Sequence, residues 1–174
     1  MTISEDILAP LAAEIAYDLA HWPLGPFHIL QVESSELSPI FMDAMPYTKL
    51  TILSSKPVYL GARRRGCGPP DIRFRHWSEG KWGSGYDVIV CFDCLRHLAD
   101  ADRIVFLTIA RHCLARGGRT LAIESVLPGD VVTREFKTAG KAAGYEQILA
   151  SVLASNESWS TVVFERDPES DWKF

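Results

Sequence analysis

The sequence has no long hydrophobic run. It lacks the apolar N-terminal segment of a signal peptide, and none of its apolar stretches approaches the length of a membrane-spanning helix. The sequence therefore has none of the features that usually indicate secretion or membrane insertion. We expect a cytoplasmic protein, in which the cysteines are reduced thiols. These are Cys67, Cys91, Cys94 and Cys113.

An excess of basic charge is also missing. The chain has 18 Lys and Arg residues against 22 Asp and Glu residues, which gives a net charge of −4. Such a balance provides no general electrostatic attraction to nucleic acid. The arginines at positions 63–65 form one basic cluster, which is more typical of a solvated helix end than of a phosphate site. A nucleic-acid partner would require them to share a patch with Arg73 and Arg75.

A strand–helix–strand unit between residues 86 and 125 organises the rest of the sequence. Residues 88–92 are continuously apolar, as in a strand that is buried on both faces of a parallel sheet. Residues 103–114 show helical spacing of apolar side chains, and residues 120–125 begin a second apolar strand. We predict that Gly117 and Gly118 end the helix, because glycine readily adopts the positive φ of a helix C-cap.

Further strands and helices flank this unit. The predicted strands are 27–32, 50–53, 71–76, 145–153 and 161–166, and the predicted helices are 3–21, 36–45, 57–65 and 131–143. A polar connection at 154–158 suits a hairpin, so the last strand should be antiparallel to its neighbour. The fold class is therefore α/β, a Rossmann-like and mostly parallel seven-stranded sheet with helices on both faces. We expect one domain over residues 1–174, with a helical segment at 1–25 and a loose tail at 167–174.

The expected ligand site of such a sheet lies at the carboxyl ends of the strands, where the strand order reverses. Here that point falls near Val32 and Cys91. Asp93 and His97 follow the fourth strand at the same rim, and a histidine there can act as a general base because imidazole titrates near neutrality. The alternative is that His97 only packs against or caps the loop.

Two segments of the second half resemble class I S-adenosylmethionine-dependent methyltransferases. The stretch YDVIVCFDCLRHLADADRIVFLTIARHCLARGGRTLAIES is similar to the block around the family's fourth and fifth strands, and AAGYEQI is similar to the step into its sixth strand. The order of elements agrees over nearly the whole chain. The resemblance implies a seven-stranded methyltransferase fold with S-adenosylmethionine as the cofactor.

The first half departs from the family pattern at its cofactor motif. The family has an acidic residue and a glycine-rich turn after the first strand, because the backbone must approach the cofactor closely. Here the acidic position is Gln31, and the glycine positions are Glu33, Ser35 and Leu37. No glycine occurs between positions 26 and 59.

The ends of the second and third strands depart from the pattern as well. The second strand of the family ends in a carboxylate that holds the ribose hydroxyls, whereas this chain has Ser54 and no carboxylate. The third strand leads into Arg75, His76 and Trp77 instead of an aspartate. The family positions that remain as cofactor-binding candidates are Gln31, Glu33, Ser35, Ser54 and Asp93.

The combined losses indicate a methyltransferase-like protein that no longer binds its cofactor. In this it is similar to the pseudo-methyltransferase domains of fatty-acid and polyketide synthases. We expect a non-catalytic partner, scaffold or regulatory subunit, in a protein complex or a homo-oligomer, with no cofactor. The alternative is an active small-molecule methyltransferase that uses S-adenosylmethionine with a divergent loop and has Asp93 and His97 as catalytic residues. A nicotinamide-dependent dehydrogenase needs the same glycine turn and gains nothing from this sequence.

A zinc site is suggested by the spacing of Cys91, Cys94 and His97, with His112 and Cys113 further along the chain. Cys91 lies in an apolar strand, however, where a free cysteine behaves as a small hydrophobic residue. No second Cys-x-x-Cys pair is present. We therefore predict no metal site.

Two further groups have open interpretations. The aromatic rings of Tyr59, His76, Trp77 and Trp82 can stack on a planar ligand, although filling the core or the vacated pocket is the simpler role. Glu124, at the end of the fifth strand, is a candidate acid of the site, with a surface position or helix capping as alternatives.

Overall fold

The computed structural model of the chain describes residues 5–22, 26–54, 72–76 and 81–166. The strands are β1 (His28–Val32), β2 (Lys49–Ser54), β3 (Ile72–His76), β4 (Tyr86–Phe92), β5 (Leu114–Glu124), β6 (Gln147–Leu153) and β7 (Asn156–Glu165). The helices are α1 (Glu5–Ala20), α2 (Ser38–Ala44), α3 (Asp100–Cys113) and α4 (Val131–Ala142). Short 3-10 turns at Ser35–Leu37 and Leu95–His97 follow β1 and β4.

All seven strands form one sheet in the order β3-β2-β1-β4-β5-β7-β6. The five strands from β3 to β5 are parallel, and β7 is antiparallel to both β5 and β6. This confirms the predicted α/β fold class and its antiparallel last strand. The strand order reverses between β1 and β4, so the carboxyl ends of these two strands flank the expected ligand position.

The core lies on both faces of the sheet, as the unbroken apolar run of β4 predicts. Ile89 and Cys91 belong to the cluster that α3 and α4 cover, whereas Val88 and Val90 belong to the cluster that α1 and α2 cover. Helix α1 continues through Pro10 and docks on the β6–β7 turn. There the Glu14 carboxylate accepts the backbone N–H groups of Ala154 and Ser155 at 2.8 and 2.7 Å.

The predicted helix stop at Gly117 and Gly118 is wrong. Helix α3 ends at Cys113, and β5 begins at Leu114, four residues before the glycine pair ends. The pair lies where the register between β4 and β5 shifts, since Leu114 is opposite Tyr86 but Arg119 is opposite Val88. A Cβ at Gly118 would lie only 2.9 Å from the Tyr86 carbonyl oxygen, and Gly117 has a φ of 72°. Glycine is therefore needed for close approach of two strands, not for capping.

The final hairpin is tighter than predicted. Strand β7 begins at Asn156, so residues 154 and 155 alone form the turn and β7 ends at Glu165. The predicted helix at 57–65, the tail at 167–174, Tyr59, Cys67 and Trp77 lie outside the described residues. For Ser35, Arg73, Arg75 and His76 only the backbone is described. Within the described part of the chain, no helix is both long and apolar enough to cross a membrane.

Candidate functional site

The turn after β1 has a left-handed backbone without glycine. Glu33 and Ser34 have φ values of 59° and 48°. Only glycine adopts this region without a steric cost, and for other residues the cost is roughly 1–2 kcal/mol each. Strain of this kind is concentrated at functional positions of proteins. The first residue of the turn occupies a glycine position of the methyltransferase motif, so its backbone keeps a glycine-like conformation while a carboxylate side chain is present.

The side chain of Gln31 stabilises this turn through hydrogen bonds. Its amide Nε2 donates to the carbonyl oxygens of Ser34 at 2.6 Å and Glu33 at 3.3 Å. Its Oε1 accepts a hydrogen bond from the Ser38 hydroxyl at 3.0 Å, at the start of α2. The side chain is fully buried, and the amide orientation follows from these three contacts. A carboxylate at this position could not donate to the two carbonyl groups.

The same turn reaches across to the end of β2. The Glu33 backbone N–H donates to the Leu53 carbonyl oxygen at 2.8 Å. The Ser54 hydroxyl donates to the Glu33 carboxylate at 3.4 Å. Three of the candidate cofactor-binding positions (Gln31, Glu33 and Ser54) are thus brought together at adjacent strand ends. The end of β2 has no carboxylate of its own, but the Glu33 carboxylate, from the turn after β1, lies there.

Asp93 makes the corresponding turn after β4, with a φ of 51°. Its carboxylate binds the Arg96 guanidinium through two contacts, from Nε to Oδ1 at 2.6 Å and from Nη2 to Oδ2 at 3.1 Å. His97 Nε2 lies 2.8 Å from Asp93 Oδ2 and 3.3 Å from Arg96 Nε. Nε2 cannot donate to Asp93 and accept from Arg96 with the same tautomer. The shorter contact identifies Nε2 as the donor to Asp93.

Glu124 lies beneath this turn and is fully buried. Its carboxylate accepts the backbone N–H groups of Cys94, Leu95 and Arg96 at 3.0, 2.8 and 3.3 Å. A surface position is therefore wrong, and the capping role is confirmed, although it caps a 3-10 turn. Burial, with Asp93 nearby, raises the pKa of Glu124 to about 7, against the opposite effect of the three N–H donors.

Arg103, a buried residue of α3, fixes the far side of the same turn. Its Nε donates to the Leu95 carbonyl oxygen at 3.1 Å, and its Nη2 donates to the Leu98 carbonyl oxygen at 3.0 Å. Its guanidinium also lies 5.0 Å from the centre of the Phe136 ring. Sequence reasoning missed Arg103. The sequence feature that could have identified it is a positive charge near the N-terminus of a helix, where the helix dipole disfavours cations. Arg103 also lies on the same helix face as the buried Leu107 and Ala110.

The aromatic rings and the cysteines are the two remaining sets of candidates. Trp82 is buried and packs edge-on against Phe106 of α3, with ring centres 5.1 Å apart, so the core interpretation is right for this ring. Cys91, Cys94 and Cys113 are free thiols. Among the residues that the structure describes, no group of three or more His, Cys, Asp or Glu side chains is arranged to bind a metal ion.

The fold is similar to those of solved S-adenosylmethionine-dependent methyltransferases. The methyltransferase SibL in its apo form has a TM-score of 0.71 and 14% identity, and 93% of this chain covers 55% of that protein. PigF with SAH has a TM-score of 0.68 and 17% identity, with coverage of 92% and 56%. Human N-acetylserotonin methyltransferase in complex with SAM has a TM-score of 0.67 and 16% identity, with coverage of 92% and 52%.

These similarities establish a class I methyltransferase-like fold. The chain spans only about half the length of these solved structures. No protein-family model and no curated protein sequence matches it. The activity of the neighbours is therefore a property of those proteins, and the function of this chain depends on its own site residues.

Proposed function

We propose that this chain, which has the fold of class I methyltransferases, does not bind S-adenosylmethionine and acts as a non-catalytic cytoplasmic partner. It would serve as a scaffold or regulatory subunit beside an active biosynthetic enzyme. The observation that carries the proposal is the turn after β1. Its backbone is left-handed, as at a glycine, yet it carries the Glu33 side chain.

The arrangement of Gln31 supports this proposal. In a turn that receives a cofactor, backbone groups must be accessible to the ligand. Here the carbonyl oxygens of Glu33 and Ser34 accept hydrogen bonds from the Gln31 amide, and Ser34 also accepts the Leu37 N–H at 2.9 Å. The carbonyl oxygens of the turn are thus already bonded to the Gln31 side chain and the Leu37 backbone.

Charge at the turn points the same way. S-adenosylmethionine carries a carboxylate, and the Glu33 carboxylate occupies a position where the family has glycine. The two carboxylates would repel each other, although the ammonium and sulfonium groups of the cofactor offset part of this repulsion. Ser54 at the end of β2 offers one hydroxyl to a ribose, which is weaker than a charge-assisted pair of hydrogen bonds.

Calorimetric titration with S-adenosylmethionine and S-adenosylhomocysteine tests the proposal. We expect no binding heat at millimolar ligand. Micromolar binding, which corresponds to roughly −8 kcal/mol, would overturn it. A gain-of-binding variant sharpens the result. Glu33→Gly should recover binding if the Glu33 side chain obstructs the turn, while the control Glu36→Gly, in the 3-10 turn that follows, should not.

The partner role needs its own test. The tagged chain, expressed at its natural level, should elute from size-exclusion chromatography of cell extract in a complex with an active methyltransferase or synthase. Strictly monomeric elution would contradict the partner role. It would leave the cofactor result unchanged, since the two measurements are independent.

The Glu33–Ser54 contact favours a second candidate, an active methyltransferase with a divergent loop. The Glu33 carboxylate lies at the end of β2, where the family has the acidic residue that holds ribose. Asp93 and His97, joined at 2.8 Å, would then be the catalytic pair. If calorimetry shows binding, a substrate screen with wild type, His97→Ala and Asp93→Asn should follow. Loss of methyl transfer in both variants, with cofactor affinity unchanged, would establish this function.

A further inference from the structure

We propose that Cys91 and Cys94 form a dithiol site that small-molecule disulfides oxidise to an intramolecular disulfide. The two cysteines are spaced as Cys-x-x-Cys, a spacing that is typical of thiol–disulfide exchange. The inference does not depend on the proposed function, because it concerns the pair of thiols alone.

The backbone between the two cysteines brings their side chains together. Cys91 and Phe92 are the last residues of β4, and Asp93 then takes a left-handed φ of 51°. This reverses the chain direction, so Cys94 packs against the same apolar cluster as Cys91. The Cys94 thiol donates to the Phe92 carbonyl oxygen at 3.2 Å, between the two cysteines.

Cys94 acts on the Cys91 side chain. Its thiol and burial both raise the pKa of Cys91. The Cys91 thiol also donates to the Leu121 carbonyl oxygen of β5 at 3.6 Å. A disulfide requires Cα atoms within roughly 7 Å of each other. The left-handed φ at Asp93 shortens the distance between positions 91 and 94 relative to an extended chain.

Accessibility sets the order of the two steps. Cys91 is fully buried, whereas Cys94 is half-buried at the rim of the sheet, so an incoming disulfide reaches Cys94 first. The Cys94 thiolate attacks oxidised glutathione, releases one reduced glutathione and forms a mixed disulfide. Cys91 then loses its proton, attacks the Cys94 sulfur and releases the second reduced glutathione. Two protein thiols are oxidised and one glutathione disulfide is reduced.

The new bond would act on the candidate site. The Cys94 backbone N–H donates to Glu124, and its neighbours along the turn are Asp93 and Arg96. A covalent bond between positions 91 and 94 restrains this turn from one side. Oxidation should therefore change the pH range over which Glu124 titrates, which gives a readout besides the bond itself.

The test uses the full chain with Cys67→Ser and Cys113→Ser, so that only Cys91 and Cys94 remain. The folded protein is treated with oxidised glutathione and its intact mass is measured under acidic, denaturing conditions. We expect the loss of two hydrogen atoms with no retained glutathione. Adding Cys91→Ala should leave one stable glutathione adduct at Cys94, and adding Cys94→Ser should abolish the reaction.

Two results would overturn the proposal. One is a stable glutathione adduct, without loss of two hydrogens, when both cysteines are present. The other is no reaction in the folded protein, when the same protein in urea forms the disulfide. A circular dichroism spectrum of each variant confirms that it is folded, and Cys91→Ala avoids placing a hydroxyl at a fully buried site. A separate variant that keeps Cys113 and replaces the other three cysteines serves as the matched reference, because Cys113 is also buried but lies at the end of α3.

Discussion

The Glu124 carboxylate accepts the Leu95 backbone N–H at 2.8 Å across the ends of β5 and β4, and neither residue has exposed surface. This contact holds the rim of the candidate site from inside the protein. It joins residues that are 29 positions apart in sequence. The same carboxylate has a pKa raised by burial to about 7, so the support under the turn depends on pH.

Glu124→Gln should flatten the pH dependence of stability. The folded-state pKa is raised from 4.5 to about 7, so the protein binds this proton more tightly when folded. Its stabilising effect is complete below pH 4.5 and is lost as the pH rises to about 7. The full effect is about 3 kcal/mol at roughly 1.4 kcal/mol per pH unit.

Urea denaturation of wild type and Glu124→Gln across this pH range measures the effect. The control is Glu165→Gln, a partly exposed carboxylate that pairs with Arg119 at 2.9 Å. Equal slopes for wild type and Glu124→Gln would contradict the prediction, because they would show that the pKa of Glu124 is the same in the folded and unfolded states.

Glu33→Gly should stabilise the protein. At a φ of 59° glycine removes the steric cost of the left-handed backbone, roughly 1–2 kcal/mol, which exceeds the roughly 0.5–1 kcal/mol of unfolded-state entropy that glycine adds. The matched control is Glu36→Gly at an ordinary φ, which should destabilise by roughly 0.5–1 kcal/mol through added unfolded-state entropy. Opposite signs for the two glycine variants in urea denaturation are expected. The same sign would show that the turn is not strained.

Gln31→Glu should destabilise the protein, although it restores the acidic residue of the family motif. The carboxylate cannot donate to the carbonyl oxygens of Glu33 and Ser34, and it would be buried against them. Leaving buried groups unsatisfied in this way costs about 1–3 kcal/mol, and more with a charge. Gln147→Glu, on the exposed start of β6, provides the control in urea denaturation. A neutral Gln31→Glu would mean that the turn opens at little cost.

Gly140→Ala should weaken the packing of α4 on the last hairpin. A Cβ at this position would lie 2.6 Å from Ile148 Cδ1 and 2.7 Å from Phe164 Cδ1. Overpacking of this kind costs typically about 1–3 kcal/mol. Gly129→Ala is the control, because a Cβ there meets no atom within 4 Å. Thermal denaturation should show a lower midpoint for Gly140→Ala only. Equal midpoints would mean that the hairpin side chains rearrange freely.

Local patterns predicted most of the fold. The apolar run of β4 is sufficient to indicate a strand buried on both faces, because both of its faces must leave water. The polar connection before β7 is enough to indicate an antiparallel end to the sheet. The glycine pair at 117 and 118 was misinterpreted because its reason is not local. A Cβ at Gly118 would meet backbone oxygens of Tyr86 and Asp87, about 30 residues earlier in the chain, as well as that of the nearby Ala115.

The candidate site also combines features that are local in sequence with features that depend on the fold. Residue order alone predicts which residues lie at the ends of β1, β2 and β4, and it shows that the first of these turns has no glycine. The contacts of these residues depend on the folded chain: Gln31 binds the turn it precedes, Glu33 reaches Ser54, and Glu124 supports the turn that carries Asp93. These outcomes depend on which buried polar groups find partners across neighbouring strands, and a buried group must find one wherever the fold provides it.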